Sequence, residues 1–158
     1  MKTSLFLAFL VTAWVGKGPE LNFRIIEYVN TVMGQRVDSG ECWDLAAAAL
    51  KYAGARHDLS SPATVYVFGR LYQPEEEEVM AGDIIQFQNV EVEWQEGNNI
   101  ITERYGHHTA IVYAVHDKGI LDLAHQNTAE TGKKVGVSRL NLNAVVRGKL
   151  LFYRPEPL

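Results

Sequence analysis

The residue pattern of this 158-residue chain changes near position 62, from helical before it to β-type after it. Apolar residues recur at helical spacing over 20–33, and an alanine-rich run covers 42–53. Gly34 and Gly54 stand where the two helices should end. Short β-branched and aromatic segments separated by turns follow. Two helices followed by a series of strands predict an α+β domain, with the helices packed on an antiparallel sheet.

The expected strands follow from β-branched and aromatic runs bounded by turn residues. Residues 64–68 read as a short strand or extended segment, and residues 116–119 as a hairpin turn. Residues 95–105 are polar and contain glycine, so we expect a loop there. The remaining predicted strands are 84–87, 90–94, 108–115, 120–124, 135–140 and 150–153.

The N-terminus has the pattern of a secretory signal peptide. Met1 and Lys2 precede an apolar run over 5–15, which is too short for a comfortable transmembrane helix. A core helix or strand is the alternative reading of this run. We predict a signal peptide over 1–18, export to the periplasm or the extracellular space, and one mature domain over 19–158 with no integral membrane segment.

Composition limits the class of protein. Hydrophobic residues make up 47% of the chain, which is enough for a core at this length. The formal net charge is −4, whereas a nucleic-acid-binding face is normally basic. The four glutamates at 75–78 are typical of a solvated loop. We therefore expect a monomer that binds no nucleic acid.

Cys42 is the only cysteine, so it cannot form an intramolecular disulfide. Asp38 or Ser39 can cap the second helix, which places Cys42 in its first turn. The helix dipole and the exposed backbone N–H groups there lower the pKa of a thiol. A buried cysteine that acts as a small apolar residue is the alternative. The helix-start position favours a nucleophile.

A nucleophilic thiol needs a base, and the chain has five histidines. His57 follows the second helix in a charged stretch and His116 lies in a predicted turn, so we expect both to be solvated. His107 and His108 begin a strand, where adjacent side chains face opposite ways, so only one can face the helix that bears the cysteine. Periodicity alone does not choose between them.

The hairpin that begins with these histidines brings in further polar residues. His125 ends the partner strand and should lie beside the start of the His108 strand. It could accept a hydrogen bond from the base and hold its tautomer, as the third member of a catalytic triad does. Asn127 would share that side if the strand continued.

Four short motifs in a fixed order carry a family resemblance. They are Gly-Glu-Cys-Trp at 40–43, Ala-Gly-Asp-Ile-Ile-Gln-Phe at 81–87, His-Thr-Ala-Ile-Val at 108–112 and His-Gln-Asn at 125–127. This order resembles the CHAP amidases and NlpC-type cell-wall peptidases, which are papain-like cysteine hydrolases. The first and last motifs are also similar to the cysteine-hydrolase-like C-terminal domain of fungal Bbc/Aim-type proteins. The resemblance implies a papain-like (NlpC/CHAP-type) fold, with N-terminal helices on an antiparallel sheet of about five to six strands.

The resemblance also implies roles for individual residues. Cys42 would be the nucleophile, and His108 the base, because the family's base precedes an Ala-Ile-Val-like run. The third position falls on His125 or Asn127; we prefer His125, with Asn127 as a helper. His107 would then be a supporting residue.

Two more residues are candidates by the same resemblance. Papain-like enzymes use a glutamine shortly before the cysteine as an oxyanion donor, and Gln35 lies close to that position. Trp43 beside the cysteine is closer to papain than to the Asp-Cys-Ser-Gly signature of NlpC-type enzymes. Residues 64–72 and 95–105 would set specificity.

The function expected from these residues is hydrolysis of an amide or peptide bond through a thioester, with a peptide or peptidoglycan-like substrate. An acyltransferase would share this chemistry. The alternative from another class is an inactive papain-like binding module. A zinc site formed by Cys42, His108 and His125 is a third possibility, although no H-E-x-x-H or C-x-x-C spacing supports it. We expect no metal and no cofactor.

Overall fold

The computed structural model describes residues 17–117 and 119–158, so all but the last two residues of the predicted signal peptide lie outside the described chain. The described elements are two α-helices, six β-strands and one short 3₁₀ helix. They are α1 (Lys17–Val32), α2 (Cys42–Ala53), β1 (Arg70–Tyr72), β2 (Ile84–Glu96), β3 (Asn99–Val115), β4 (Ile120–His125), β5 (Gly136–Asn141), η1 (Leu142–Ala144) and β6 (Val145–Arg154).

The strands form one antiparallel sheet in the order β1-β6-β2-β3-β4-β5. Two helices packed on a six-stranded sheet confirm the predicted α+β class. The loop predicted for 95–105 is wrong, because β2 and β3 are paired from Val90 and Tyr105 out to Glu96 and Asn99. The residue pairs at this outer end of the hairpin are largely exposed on both faces of the sheet. They therefore lack the alternation of apolar and polar residues from which a strand can be predicted. Residues 64–66 form a turn, and residues 67 and 68 belong to no strand.

Helix α2 begins with a different cap from the one predicted. The N-cap residue is Glu41, not Asp38 or Ser39. The buried carboxylate of Asp44 accepts hydrogen bonds from the Glu41 backbone N–H (2.9 Å) and the Ser39 hydroxyl (2.6 Å). Gly54 closes the helix at φ 73°, the left-handed conformation that glycine adopts most readily, as predicted. The cap starts α2 at Cys42.

The sheet buries apolar residues on both faces, and the two helices pack on one of them. Residues two apart on a strand share a face, so the two core clusters report which way each strand position points. The helix-side cluster includes Ile25, Leu45, Leu50, Ile84, Ile111 and Ala124. The opposite-side cluster includes Ile85, Phe87, Ala110, Val112, Leu123 and Phe152.

Asp83 joins helix α1 to the sheet. Its fully buried carboxylate accepts hydrogen bonds from Asn22 (3.0 Å), the Tyr72 hydroxyl (2.6 Å) and two nitrogens of Arg154 (2.7 and 2.9 Å). The preceding Gly82 has φ 89°, and a Cβ there would lie 2.5 Å from the backbone oxygen of Asn22. Glycine is therefore required for this close approach. Gly82 and Asp83 therefore hold helix α1 against the sheet.

Among the residues that the structure describes, no helix has the length and apolar character needed to cross a membrane.

Candidate functional site

Cys42 is the first residue of α2, and its side chain is half-buried. Burial raises the pKa of its thiol, and this effect outweighs hydrogen bonds from the Thr109 backbone, the Thr109 hydroxyl and the Trp43 backbone, which lower it. The negative charge of Glu41 raises the pKa further. The thiol therefore rests in its protonated form, in contact with the strand residue that follows His108.

The loop before Cys42 is held by a residue that sequence reasoning did not single out. Gln126 is fully buried, and its amide donates to the carbonyls of Val37 (3.0 Å) and Glu41 (2.8 Å) while accepting from the Val37 N–H (3.1 Å). All three bonds span more than 80 positions of sequence. Gln126 therefore sets the position of the helix start that carries the thiol.

Asn127 and Lys133 bind the cap residue from outside. The Asn127 amide donates to Glu41 Oε2 (2.9 Å), and the Lys133 ammonium binds Glu41 Oε1 (2.9 Å), both at the surface. Asn127 adopts φ 62°, so the strand does not continue past His125. Asn127 therefore contacts the N-cap residue of α2 and not the imidazole of a catalytic base.

His108 and His125 form a buried pair. His108 Nε2 and His125 Nδ1 lie 3.0 Å apart, and the two side chains are 5% and 1% exposed. Burial, reinforced by the charges of His125 and His107, lowers the pKa of His108 to about 3. Burial lowers the pKa of His125 to about 4. Both imidazoles are therefore neutral at pH 7, so one nitrogen of the pair donates and the other accepts.

Ser138 extends this pair into a chain of three residues. Its hydroxyl lies 2.9 Å from His125 Nε2, on strand β5. Ser138 on β5 is directly opposite Leu123 on β4. Leu123 and His125 are two residues apart on β4, so the side chains of Ser138 and His125 lie on the same face of the sheet. We call His108, His125 and Ser138 the imidazole relay. Sequence reasoning missed Ser138, because a single serine in an edge strand carries no local signal.

The expectation that His108 faces α2 is wrong. Ile111 belongs to the helix-side cluster, so Thr109 and His107 point toward α2, while His108 points to the opposite face with Ala110. The His108 ring there packs against the rings of Phe87 (5.6 Å between centroids) and Tyr105 (5.3 Å). Adjacent side chains of a β-strand point to opposite faces, so His107 and His108 cannot both point toward α2.

The thiol nevertheless lies near the peptide that follows His108. The pairing of β3 with β4 begins only at Ile111, which leaves the Thr109 N–H available to Cys42. Within residues 17–117 and 119–158, neither His107 nor His108 hydrogen-bonds the thiol. His107 is exposed, and its ring packs edge-on against Tyr66 at 4.3 Å. Cys42 thus has one imidazole on each side of the strand that it contacts.

The remaining predicted residues lie away from the thiol or serve packing. Gln35 is exposed and donates to the Thr31 carbonyl (3.0 Å) within the end of α1. Trp43 packs partly buried against the helix-side cluster. His57 is half-buried with Nε2 on the Val65 carbonyl (2.9 Å), so it is less solvated than expected. His116 is exposed and pairs with Asp122 (2.6 Å).

Within the described parts of the chain, no three or more His, Cys, Asp or Glu side chains are arranged to hold a metal ion. The zinc site considered from the sequence would need lone pairs from both His108 and His125. The hydrogen bond between the two rings occupies one of those lone pairs.

The chain matches a known protein family over most of its length. Residues 19–157 match the family model described as the AIM3/BBC1 cysteine proteinase-fold domain. The matched range includes every residue of the site described above. The resemblance to a papain-like cysteine hydrolase fold drawn from the sequence motifs is thereby confirmed. A comparison with curated proteins finds no match.

Two solved structures of a protein named Ly7917 are similar in fold. Ly7917 with the hydrolyzing product of MDP aligns at a TM-score of 0.50 and 19% identity, covering 85% of this chain and 63% of that one. Ly7917 without that product aligns at a TM-score of 0.46 and 18% identity, covering 84% and 62%. This chain therefore spans less than two thirds of Ly7917.

Proposed function

The chain belongs to the AIM3/BBC1 cysteine proteinase-fold domain family, and from this we propose that it is a cysteine hydrolase that cleaves an amide bond through a thioester. Cys42 is the nucleophile, His108 the base and His125 the residue that orients the base. The observation that carries the proposal is the buried hydrogen bond between His108 and His125, one peptide away from the residue that contacts the thiol. Orientation of a base by a third group is the arrangement on which nucleophilic catalysis depends.

The nitrogen that acts as base follows from the hydrogen bonds. His108 Nε2 is bound to His125, so Nδ1 is the nitrogen left for the thiol proton. To accept that proton, His108 must carry its hydrogen on Nε2 and donate it to His125 Nδ1. His125 then carries its hydrogen on Nε2 and donates it to the Ser138 hydroxyl. In the reactive state, the hydrogen bonds of the chain therefore run in one direction, from His108 through His125 to Ser138.

The pKa shifts indicate when the proton moves. Burial raises the pKa of Cys42 and lowers that of His108, so a thiolate–imidazolium pair is disfavoured before substrate binds. The proton therefore leaves the thiol only as the sulfur attacks the carbonyl carbon, in the manner of general-base catalysis. Because the His108 ring lies on the face of β3 opposite α2, its transfer to His108 requires a bridging water molecule. The backbone N–H of Cys42, in the first turn of α2, is a donor for the oxyanion.

The cycle closes with the same two residues. His108 returns the proton to the leaving amine, which frees the first product and leaves a thioester on Cys42. A water molecule, deprotonated by His108, then attacks the thioester and regenerates the thiol. An acceptor other than water would make the same site a transferase.

Two features bear on the substrate class. Ly7917 was crystallised with the hydrolyzing product of MDP, which makes MDP a first compound to test here. Tyr66 and His107 lie on the α2 side of the strand that contacts Cys42, and their edge-on contact offers an aromatic surface to a peptide. Together these features support a peptide-like substrate.

The test measures alkylation of Cys42 by iodoacetamide, and hydrolysis of MDP, across pH. His108→Ala should lower both rates by about 10²–10⁴-fold if His108 is the base. His107→Ala is the matched control, because it removes the neighbouring imidazole from the other face of the same strand. It should change either rate by less than about tenfold. Cys42→Ala should abolish both reactions.

Two results would contradict the assignment. A large loss in His107→Ala with a normal rate in His108→Ala would make His107 the base, which its shared face with Thr109 allows. Alkylation at an ordinary thiol rate in both variants, with MDP bound but intact, would identify a binding module without turnover.

A further inference from the structure

A pocket lies on the face of the sheet opposite α2, at the outer end of the imidazole relay. Its volume is about 360 Å³, which is within the range of small-molecule sites. Most of its wall is apolar or aromatic, and Ser138 is a polar group inside it. The lining used in this argument is Phe87, Trp94, Glu103, Tyr105, Leu140 and Ser138.

The pocket and the relay share residues. Phe87 and Tyr105 line the pocket and pack against the His108 ring, and Ser138 lines the pocket and hydrogen-bonds His125. A molecule in this pocket would therefore touch the wall of the His108 site and the terminal hydroxyl of the relay. Cys42 is not among the lining residues.

The direction of the relay determines what Ser138 can offer. When His125 donates from Nε2, the Ser138 oxygen accepts, and the serine hydrogen is left to donate elsewhere. The one side-chain hydrogen bond that the described structure gives Ser138 is the bond to His125. The hydroxyl hydrogen therefore has no protein partner in the reactive direction and faces a largely apolar pocket, where an unmade hydrogen bond is costly.

We propose that this pocket binds a small, neutral, aromatic or aliphatic molecule through a carbonyl oxygen that accepts a hydrogen bond from Ser138, and that this contact makes Cys42 more reactive. The bound carbonyl favours the relay direction in which His108 Nδ1 can accept a proton. The effect on Cys42 rests on the proposed function, whereas binding to the pocket does not.

Charge and shape select this class of ligand. Burial, together with the Glu103 carboxylate at the pocket, raises the pKa of Tyr105. An anionic ligand would meet the negative charge of Glu103. The Arg139 guanidinium binds Asp122 (2.9 Å) on the face of the β4–β5 pair opposite Ser138. Trp94 and Leu140 offer apolar contact area. A neutral amide or ester attached to one ring or short chain satisfies all three conditions.

The experiment uses the full chain with ¹⁵N-labelled histidines and ¹³C-labelled methyl groups, titrated by NMR with N-methylbenzamide. Benzoate and toluene are the matched ligands, one anionic and one without an acceptor. We expect N-methylbenzamide to shift the Leu123 and Leu140 methyl signals and the His125 nitrogen signals, and benzoate to bind more weakly. Saturating N-methylbenzamide should raise the alkylation rate of Cys42 roughly fivefold, the effect of one net hydrogen bond.

Variants separate the two parts of the proposal. Ser138→Ala should keep the methyl shifts and lose the rate increase, whereas Ser60→Ala, a serine in an exposed loop, should keep both. Ala144→Phe should fill the pocket and abolish the shifts. If it unfolds, the Ser138→Ala comparison decides alone.

The outcomes are distinct. Absence of methyl shifts with N-methylbenzamide, or an unchanged rate increase in Ser138→Ala, overturns the proposal. Methyl and His125 shifts in a protein whose thiol reactivity ignores His108→Ala support the ligand site and refute the proposed function.

Discussion

Two polar clusters are buried in the same sheet, and they differ in which of their atoms lack a partner. The Asp83 cluster pairs a carboxylate with Arg154 and adds hydrogen bonds from Asn22 and Tyr72. In the imidazole relay, His125 forms one hydrogen bond with His108 and one with Ser138. In the reactive direction, the Ser138 hydroxyl hydrogen has no protein partner among the described residues. Both carboxylate oxygens of Asp83 have charged or hydroxyl partners, and the atom of that cluster without a partner in the described chain, Asn22 Oδ1, is an acceptor with no proton to give. The relay instead leaves one nitrogen and one hydrogen without a fixed partner.

This difference distinguishes a structural cluster from a candidate reactive one. A paired, charged cluster holds elements in place and has no proton to exchange at low cost. A neutral chain with two possible directions can take up a proton at one end and pass the change along. The pKa of both imidazoles lies far below that of an exposed histidine because they are buried neutral. The comparison predicts that the two clusters respond differently to mutation and to pH.

The largest expected effect is on stability, at Asp83. Asp83→Ala removes the buried partner of Arg154 and should lower the free energy of unfolding by about 3–5 kcal/mol in urea denaturation. Glu77→Ala is the control, because Glu77 also binds Arg154 but is partly exposed; it should lower the free energy of unfolding much less. Equal losses in the two variants would show that Asp83 is not the dominant anchor.

The pH dependence of stability should come from the relay. Unfolded histidines take up protons below pH 6.5, whereas folded His108 and His125 do so only near pH 3 and pH 4. The unfolded state therefore binds more protons in this range, and stability falls by about 3 kcal/mol as the pH drops from 6.5 to 5. Urea denaturation of wild type and of a His108→Gln, His125→Gln double variant measures it. An equally steep fall in the double variant would assign it to other groups.

A smaller effect is expected at Gln126, which lies on the Cys42 side of the sheet. Gln126→Ala leaves the buried N–H of Val37 without a partner, whereas the Val37 carbonyl still accepts from the Gly40 N–H (3.0 Å), so it should cost about 2 kcal/mol in urea denaturation. It should also slow alkylation of Cys42, because the helix start loses its support. Gln95→Ala, an exposed glutamine, is the control. A loss of stability with unchanged thiol reactivity would show that the cap at Asp44 positions Cys42 alone.

Much of the fold could be predicted from the sequence because it depends on local signals. Helical spacing and two terminal glycines placed α1 and α2, and β-branched runs located the inner strands. The outer β2–β3 hairpin was missed, because strands solvated on both sides carry no alternation. Backbone pairing extends the hairpin to the turn at Gly97, and pairing is not a local property.

The candidate site was harder to predict, because its contacts are distant in sequence. The expected proximity of His108 and His125 follows from the hairpin geometry, and the two rings do lie in hydrogen-bond contact. The face that His108 occupies depends on which side α2 covers, which periodicity leaves open. Ser138 and Gln126 act through β5 and through the loop before α2, and no nearby residue signals either contact.

The smallest expected effect is at Gln35, and it tests whether residues near α1 belong to the site at all. Its amide bonds the Thr31 carbonyl on the surface, so Gln35→Ala should change stability by less than about 0.5 kcal/mol. Hydrolysis of MDP should also stay within about twofold, since an oxyanion donor must already point at the reacting carbonyl. A drop in kcat of a hundredfold with unchanged KM would mean that substrate draws Gln35 into the site. The buried relay would then be only part of a site completed from the helical side.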